Sequence, residues 1–143
     1  MKVFFDTSVL IPAMVDQLSN HARCFPTFIE YSENENEGFC STHVLAECYS
    51  VMTTLPLRRR INPLDARQLV HDTVIGRLTI IPLGIDEYRK AIDRVSSKGL
   101  LSGIIYDALH LVAAEQVSCE RIFTFNADHF RRLGDGSIII TAP

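Results

Sequence analysis

The sequence predicts an α/β domain with a mainly parallel central sheet flanked by helices on both faces. Three observations lead there. Short β-branched or aromatic runs alternate with longer stretches of helical periodicity along all 143 residues. The first run, Val3-Phe4-Phe5, is continuously apolar, as a strand buried on both faces must be. Turn residues separate the segments, and no repeat, linker or low-complexity tract interrupts them, so a single domain over 1–143 is expected.

The elements are expected in this order. A strand at 2–5 leads into a helix at 7–15, where Pro12 is tolerable only in the first turns. A helix over 21–32 contains Pro26 as an irregularity. After the polar turn 33–38, a short strand at 39–41 feeds a helix capped by Ser41 or Thr42 and running to about Leu55. The connector 56–61 carries Arg58-Arg59-Arg60. Asn62-Pro63 then starts a helix, Asn as N-cap and Pro at the first helical position, with Leu64, Leu69, Val70 and Val74 as its apolar residues and a stop at Gly76. A strand at 78–83 precedes a helix at 86–97 with Tyr88, Ala91, Ile92 and Val95 at helical spacing, closed by Gly99. The strongest helix spans 102–117. A strand at 121–125, a short helix capped by Asn126 and ending at Leu133, a Gly134-Asp135-Gly136 turn and a strand at 137–141 complete the chain.

Composition narrows the function. Apolar residues make up 47%, enough for a real core. The net charge of −3, without a basic tail, argues against broad electrostatic capture of nucleic acid. A metal-dependent nuclease stays open, because its positive charge comes from the ion. Cys24, Cys40, Cys48 and Cys119 form no Cys-x-x-Cys pair, which disfavours a zinc knuckle or a thioredoxin-like motif. They suit small buried thiols in a reducing compartment. No signal peptide opens the chain, and no run reaches the ~18 uncharged apolar residues of a membrane span. A soluble cytoplasmic protein is expected.

The acids carry the chemistry. Asp6 ends the first strand, where an ionised carboxylate is costly to bury without compensation. In parallel α/β sheets, functional residues gather at the carboxyl ends of strands. Asp107 falls inside the apolar stripe formed by Ile104, Ile105, Ala108, Leu111 and Val112, where a solvated surface acid has no place. A structural Asp paired with an Arg or with backbone amides would fit that position equally. Glu47 sits on the shoulder of a stripe made by Val44, Leu45, Cys48, Val51, Met52 and Leu55; taken alone it reads as an ordinary helical Glu. Asn126 and Asp128 follow the strand at 121–125, and each has a local role available, as a helix cap or as a charge against the helix dipole. Together the acids read differently. Carboxylates sharing a pocket repel one another unless a cation joins them. Hard oxygen ligands suit Mg²⁺ or Mn²⁺ and not zinc, and such ions commonly serve phosphodiester hydrolysis. Thr7 and Ser8 can add hydroxyl ligands or position a water.

The segments Phe4-Phe5-Asp6-Thr7-Ser8-Val9-Leu10, Ala46-Glu47, Tyr106-Asp107-Ala108-Leu109-His110-Leu111 and Thr124-Phe125-Asn126-Ala127-Asp128-His129-Phe130 resemble the PIN domain. Their order and spacing are most similar to the VapC toxins of toxin–antitoxin pairs, and the likeness covers essentially the whole chain. The resemblance implies a Mg²⁺- or Mn²⁺-dependent endoribonuclease in which Asp6, Glu47 and Asp107 hold the ion, leaving a 5′-phosphate and a 3′-hydroxyl. It places the fourth polar position at Asn126, with Asp128 the nearest carboxylate, and a positioning hydroxyl at Thr7 or Ser8. It also implies an RNA substrate, a cognate antitoxin protein and a homodimer.

The other candidates are weaker. Arg58, Arg59 and Arg60 suit RNA phosphate or a solvated connector equally. His110, three residues after Asp107, reads more readily as structural than as functional. His43 and His129 point to no role. Phe28, Tyr31, Tyr49 and Met52 suit core or dimer packing better than base stacking. Two other functions compete. A strand followed by Asp-Thr-Ser resembles phosphatases with an aspartyl nucleophile, but Ser8 stands where their second Asp belongs. A PIN-like module that binds RNA or protein without cutting is kept open by the neutral Asn126.

Overall fold

Five parallel strands form one sheet in the order β3-β2-β1-β4-β5. They are β1 (Lys2–Phe5), β2 (Glu37–Ser41), β3 (Thr79–Ile81), β4 (Arg121–Phe123) and β5 (Ile139–Thr141). The computed structural model describes residues 1–143. The helices are α1 (Thr7–Met14), α2 (His21–Ser32), α3 (Thr42–Thr54), α4 (Pro63–Leu69), α5 (Ile85–Ser97), α6 (Ile104–Gln116) and α7 (Ala127–Leu133). A π-helical segment, Val70–Ile75, continues α4. The expected fold class is thus the one observed.

β1 is central: after Lys2 at its edge, Val3, Phe4 and Phe5 are each fully buried. It pairs with β2 on one side and β4 on the other, so its carboxyl end lies mid-sheet and sets the position of Asp6. The outer strands β3 and β5 are only three residues long, shorter than the runs at 78–83 and 137–141 suggested. Phe5 anchors the layer beneath α2 through edge contact with Phe28 and stacking on Phe123, both at 5.5 Å between ring centres.

Local signals place the helices well. Ser41 caps α3, its hydroxyl accepting from the Val44 amide at 3.4 Å. Asn62 caps α4 by accepting from the Asp65 amide at 2.9 Å, with Pro63 at the first helical position. Gly99 ends α5 with φ +64°. Pro12 and Pro26 lie inside α1 and α2.

Several expectations need correction. The α4 pattern continues as a π-helix. Ala66 of α4 and Val70 and Val74 of the π-helical segment are all buried. Leu64, expected in that apolar face, is 76% exposed. On α5 only Ala91 and Val95 reach the core, while Tyr88 and Ile92 face outward. Val51 of α3 likewise turns away from the core. All four cysteines are buried and free. Burial pushes the thiols of Cys40 and Cys119 up to about 12, which leaves them inert at neutral pH. No helix is long and apolar enough to cross a membrane.

Candidate active site

At the carboxyl edge of the sheet, a cleft of about 440 Å³ is lined by Asp6, Thr7, Ser8, Glu47, Asp107 and Asn126, with Val51 among its apolar walls. Asp6 arrives on the central strand, Glu47 from the middle of α3 and Asp107 from the first turn of α6. Asn126 follows β4. Its backbone occupies the N-cap position of α7, yet its side chain makes no capping bond. The local role that Asn126 offered in the sequence is therefore not the one it plays, and its carboxamide remains available to the cleft. Asp128 is placed elsewhere: its side chain is 93% exposed, 3.6 Å from Arg131.

Asp6 is buried and held by hydroxyls. Ser8 Oγ donates to its Oδ2 at 2.6 Å, and Thr124 Oγ1 donates to the same oxygen at 2.7 Å. Both hydroxyls are fixed in turn: the Phe125 amide donates to Ser8 and the Asn126 amide donates to Thr124. The Thr124 amide still bonds Thr141, but the next two amides leave the ladder for these hydroxyls. This is why β4 ends at Phe123 and not at 125.

Each of the two helical acids is bound by an imidazole. His110 Nε2 lies 2.7 Å from Glu47 Oε1 and 3.9 Å from Asp6 Oδ1, while its Nδ1 meets Ser41 Oγ at 3.1 Å. His110 is completely buried, so it spans two acids from within the core. His43 approaches Glu47 at 3.4 Å and stacks on Tyr106, 5.0 Å between ring centres. Burial lowers the His43 pKa, with Glu47 opposing the shift. His129 Nδ1 meets Asp107 Oδ2 at 2.6 Å.

Burial, joined by the charge of Asp6, raises the Asp107 carboxyl above its ordinary range, against the lowering pull of the His129 hydrogen bond. A raised folded-state pKa means that the charged form at neutral pH costs stability. In EDTA at neutral pH, Asp107→Asn is expected to melt higher than the parent. That difference should shrink as pH falls through the raised pKa, and disappear below the ordinary carboxylate range. Thermal melts across acidic and neutral pH check this.

The donor set fits a hard divalent cation. Asp6 Oδ1, Glu47 Oε2 and Asp107 Oδ1 have no hydrogen-bond donor within the chain, so each acid keeps one oxygen free. Thr7 Oγ1 is buried with no partner. As the side chains stand, no three acidic or imidazole groups close on one point. Glu47 is engaged by His110 and Asp107 by His129, each through one carboxylate oxygen.

Four participants are not evident from the sequence alone: His110 reads there more readily as structural than as functional, His43 and His129 point to no role, and Thr124 stands only within a motif. Thr124, His110 and His129 reach their acids across 118, 63 and 22 positions, which no local spacing reports, whereas His43 stands one helical turn before Glu47 on α3. Arg58, Arg59 and Arg60 stay exposed. Gln17 grips the Arg59 backbone with two hydrogen bonds, at 3.0 and 3.3 Å, and the adjacent Leu18 lines the cleft. The arginine connector is thereby tethered beside the cleft mouth.

The family model of the PIN domain matches residues 3–136. Ribonuclease VapC27 of Mycobacterium tuberculosis is 30% identical over 115 residues, spanning 80% of this chain and 78% of that protein. The chain belongs to the PIN-domain family, in its VapC-type ribonuclease branch. Among solved structures, VapC20 of M. tuberculosis, a sarcin–ricin-loop-cleaving toxin, superposes with a TM-score of 0.74 at 15% identity, covering 95% of this chain and 98% of that one. VapBC2 of Rickettsia felis, bound to a promoter DNA fragment, gives 0.69 at 18% identity, with full coverage of both chains. VapBC-1 of nontypeable Haemophilus influenzae gives 0.70 at 15%, covering 99% and 98%. At these identities the likeness is one of fold.

Proposed function

We propose that this chain is a Mg²⁺- or Mn²⁺-dependent endoribonuclease of the VapC type, held in check by a cognate antitoxin protein. The observation that carries the reading is that Asp6, Glu47 and Asp107 line one cleft, each with a free carboxylate oxygen. Asp6, Asp107 and Glu47 would hold the ion, with Asn126 contributing a neutral carbonyl. The bound ion supplies Lewis-acid stabilisation of the phosphoryl oxygens and an activated water. Ser8 and Thr124 keep Asp6 oriented through its inner oxygen. His110 orients Glu47, and His129 orients Asp107. Thr7, whose buried hydroxyl lacks a partner, is placed to position water or phosphate. The tethered arginines 58–60 would meet the RNA backbone at the cleft mouth and offset its repulsion by the acids.

Two partners follow from the family. The R. felis and H. influenzae relatives are VapBC assemblies, which supports a protein antitoxin here. Ile85, Tyr88 and Ile92 expose one face of α5, a surface suited to the expected homodimer.

Incubating the purified protein with cellular RNA in Mg²⁺ or Mn²⁺, and in parallel in EDTA, tests the reading. Products are expected only with metal, carrying 5′-phosphates. A pair of variants tests the fourth corner. Asn126→Ala is expected to lower cleavage about tenfold or more, as loss of a group beside the ion does. Asp128→Ala should remain near the parent rate. Equal losses would return Asp128 to the site.

A further inference from the structure

Next to the acid cleft, and sharing Asn126 with it, lies a second depression of about 280 Å³ lined by Phe125, Asn126, Ala127, Asp128 and His129. Its groups are unusual for a surface loop. Phe125 is 38% exposed, and the Arg23 guanidinium lies 5.8 Å from its ring centre. The Asn126 carboxamide, a donor and an acceptor, makes no bond within the chain. His129 is about half exposed and uses Nδ1 on Asp107, so its Nε2 faces no protein partner. The depression therefore offers an aromatic ring, packed against the Arg23 guanidinium outside its lining, and two unbonded edge-reading groups.

Its placement relative to the acids is fixed. The Phe125 amide donates to Ser8 Oγ at 3.0 Å, and Ser8 Oγ donates to Asp6 at 2.6 Å. His129 is bonded to Asp107. Asp107 is thus bonded directly to a residue of this depression, and Asp6 is joined to it through Ser8 alone.

We propose that the Phe125–Asn126–His129 depression is a nucleobase subsite. It takes one unstacked base of single-stranded RNA next to the cleaved phosphate, stacked on Phe125 and read at its edge by His129 Nε2 and the Asn126 amide nitrogen, the Asn126 oxygen being left to the ion. Unpaired bases are recognised in just this way, by an aromatic face together with hydrogen bonds to the base edge, and guanidinium planes take part in the stacking. A protein partner would need an apolar socket for its anchor. Here the only large apolar side chain is Phe125, and the remaining exposed groups are polar. The proposal rests on the ribonuclease reading and adds where the substrate strand lies.

The chain contains no tryptophan, so Phe125→Trp places a single indole reporter on the platform. In Ca²⁺, its emission is titrated with short oligouridylate and oligoadenylate, and with ribose-phosphate strands of equal length lacking bases. Quenching by the base-bearing strands and none by the abasic strands is expected. Phe125→Ala should weaken binding of the labelled oligoribonucleotides by about 5- to 150-fold with an unchanged melting temperature. Phe125→Tyr should restore it. If the parent binds RNA and Phe125→Ala binds equally well, or abasic strands quench equally, the subsite is wrong while the nuclease reading stands. If the parent binds none of the strands, both fall. Indole emission that responds only to an added protein would assign the depression to a protein partner and overturn the subsite.

Discussion

Asp6→Asn is expected to reduce metal-dependent RNA cleavage on the order of 10³-fold or more, while the protein stays folded. The replacement keeps the shape of the side chain and removes its charge. Ser8 and Thr124 both bond Oδ2, and as hydroxyls they can rotate to suit an amide. The buried interactions therefore survive, with a stability change of about 1 kcal/mol in either direction. What is lost is the central anionic ligand, the one carboxylate delivered by the rigid sheet and not by a helix. Single-turnover cleavage alongside a thermal melt separates the two effects. Undiminished cleavage would remove Asp6 from the mechanism.

His110→Leu is the second large effect. His110 is fully buried, bonded to Ser41 on one side and to Glu47 on the other, and its ring lies 5.8 Å from that of Phe4. Leucine preserves most of the bulk and none of the bonds. Ser41 loses a buried partner, and Glu47 loses the group that aims it. Residues that orient metal-binding carboxylates typically matter 10- to 100-fold in metal affinity or activity, and about that loss is expected here. Lost buried hydrogen bonding should add about 1–3 kcal/mol of destabilisation. His110→Gln, whose amide can still donate to Glu47, should recover part of the activity even if stability stays low. Activity that follows stability alone across both variants would make His110 a core residue and nothing more.

The fold was readable because its signals are local. The apolar run at 3–5, the cap at Ser41 and the Asn62-Pro63 start each act within a few residues, and each appears where expected. The acids were readable for a related reason. Asp107 sits in an apolar stripe and Asp6 at the end of a buried strand, and both placements are costly enough to show in the pattern itself. What surrounds the acids was not readable. Thr124 reaches Asp6 across 118 positions, His110 reaches Glu47 across 63 and His129 reaches Asp107 across 22. Asn126 shows the opposite failure. Its sequence position looks like a cap, but the amides after β4 are drawn to Ser8 and Thr124, and the carboxamide is left free. Tyr88 and Ile92 on α5, like Val51 on α3, have core-like spacing but face outward, because only part of an apolar stripe reaches the sheet.

A divalent ion bound by Asp6, Glu47 and Asp107 would use the carboxylate oxygens that His110 and His129 leave free. Titrating Mn²⁺ into the purified protein and following the heat of binding tests this most directly. Saturable binding is expected in the parent and in Asp128→Ala, strongly weakened in Asp6→Asn and in Asp107→Asn. Equal Mn²⁺ affinity in the parent and in Asp6→Asn would contradict the account, as would RNA cleavage that continues where no Mn²⁺ or Mg²⁺ binds.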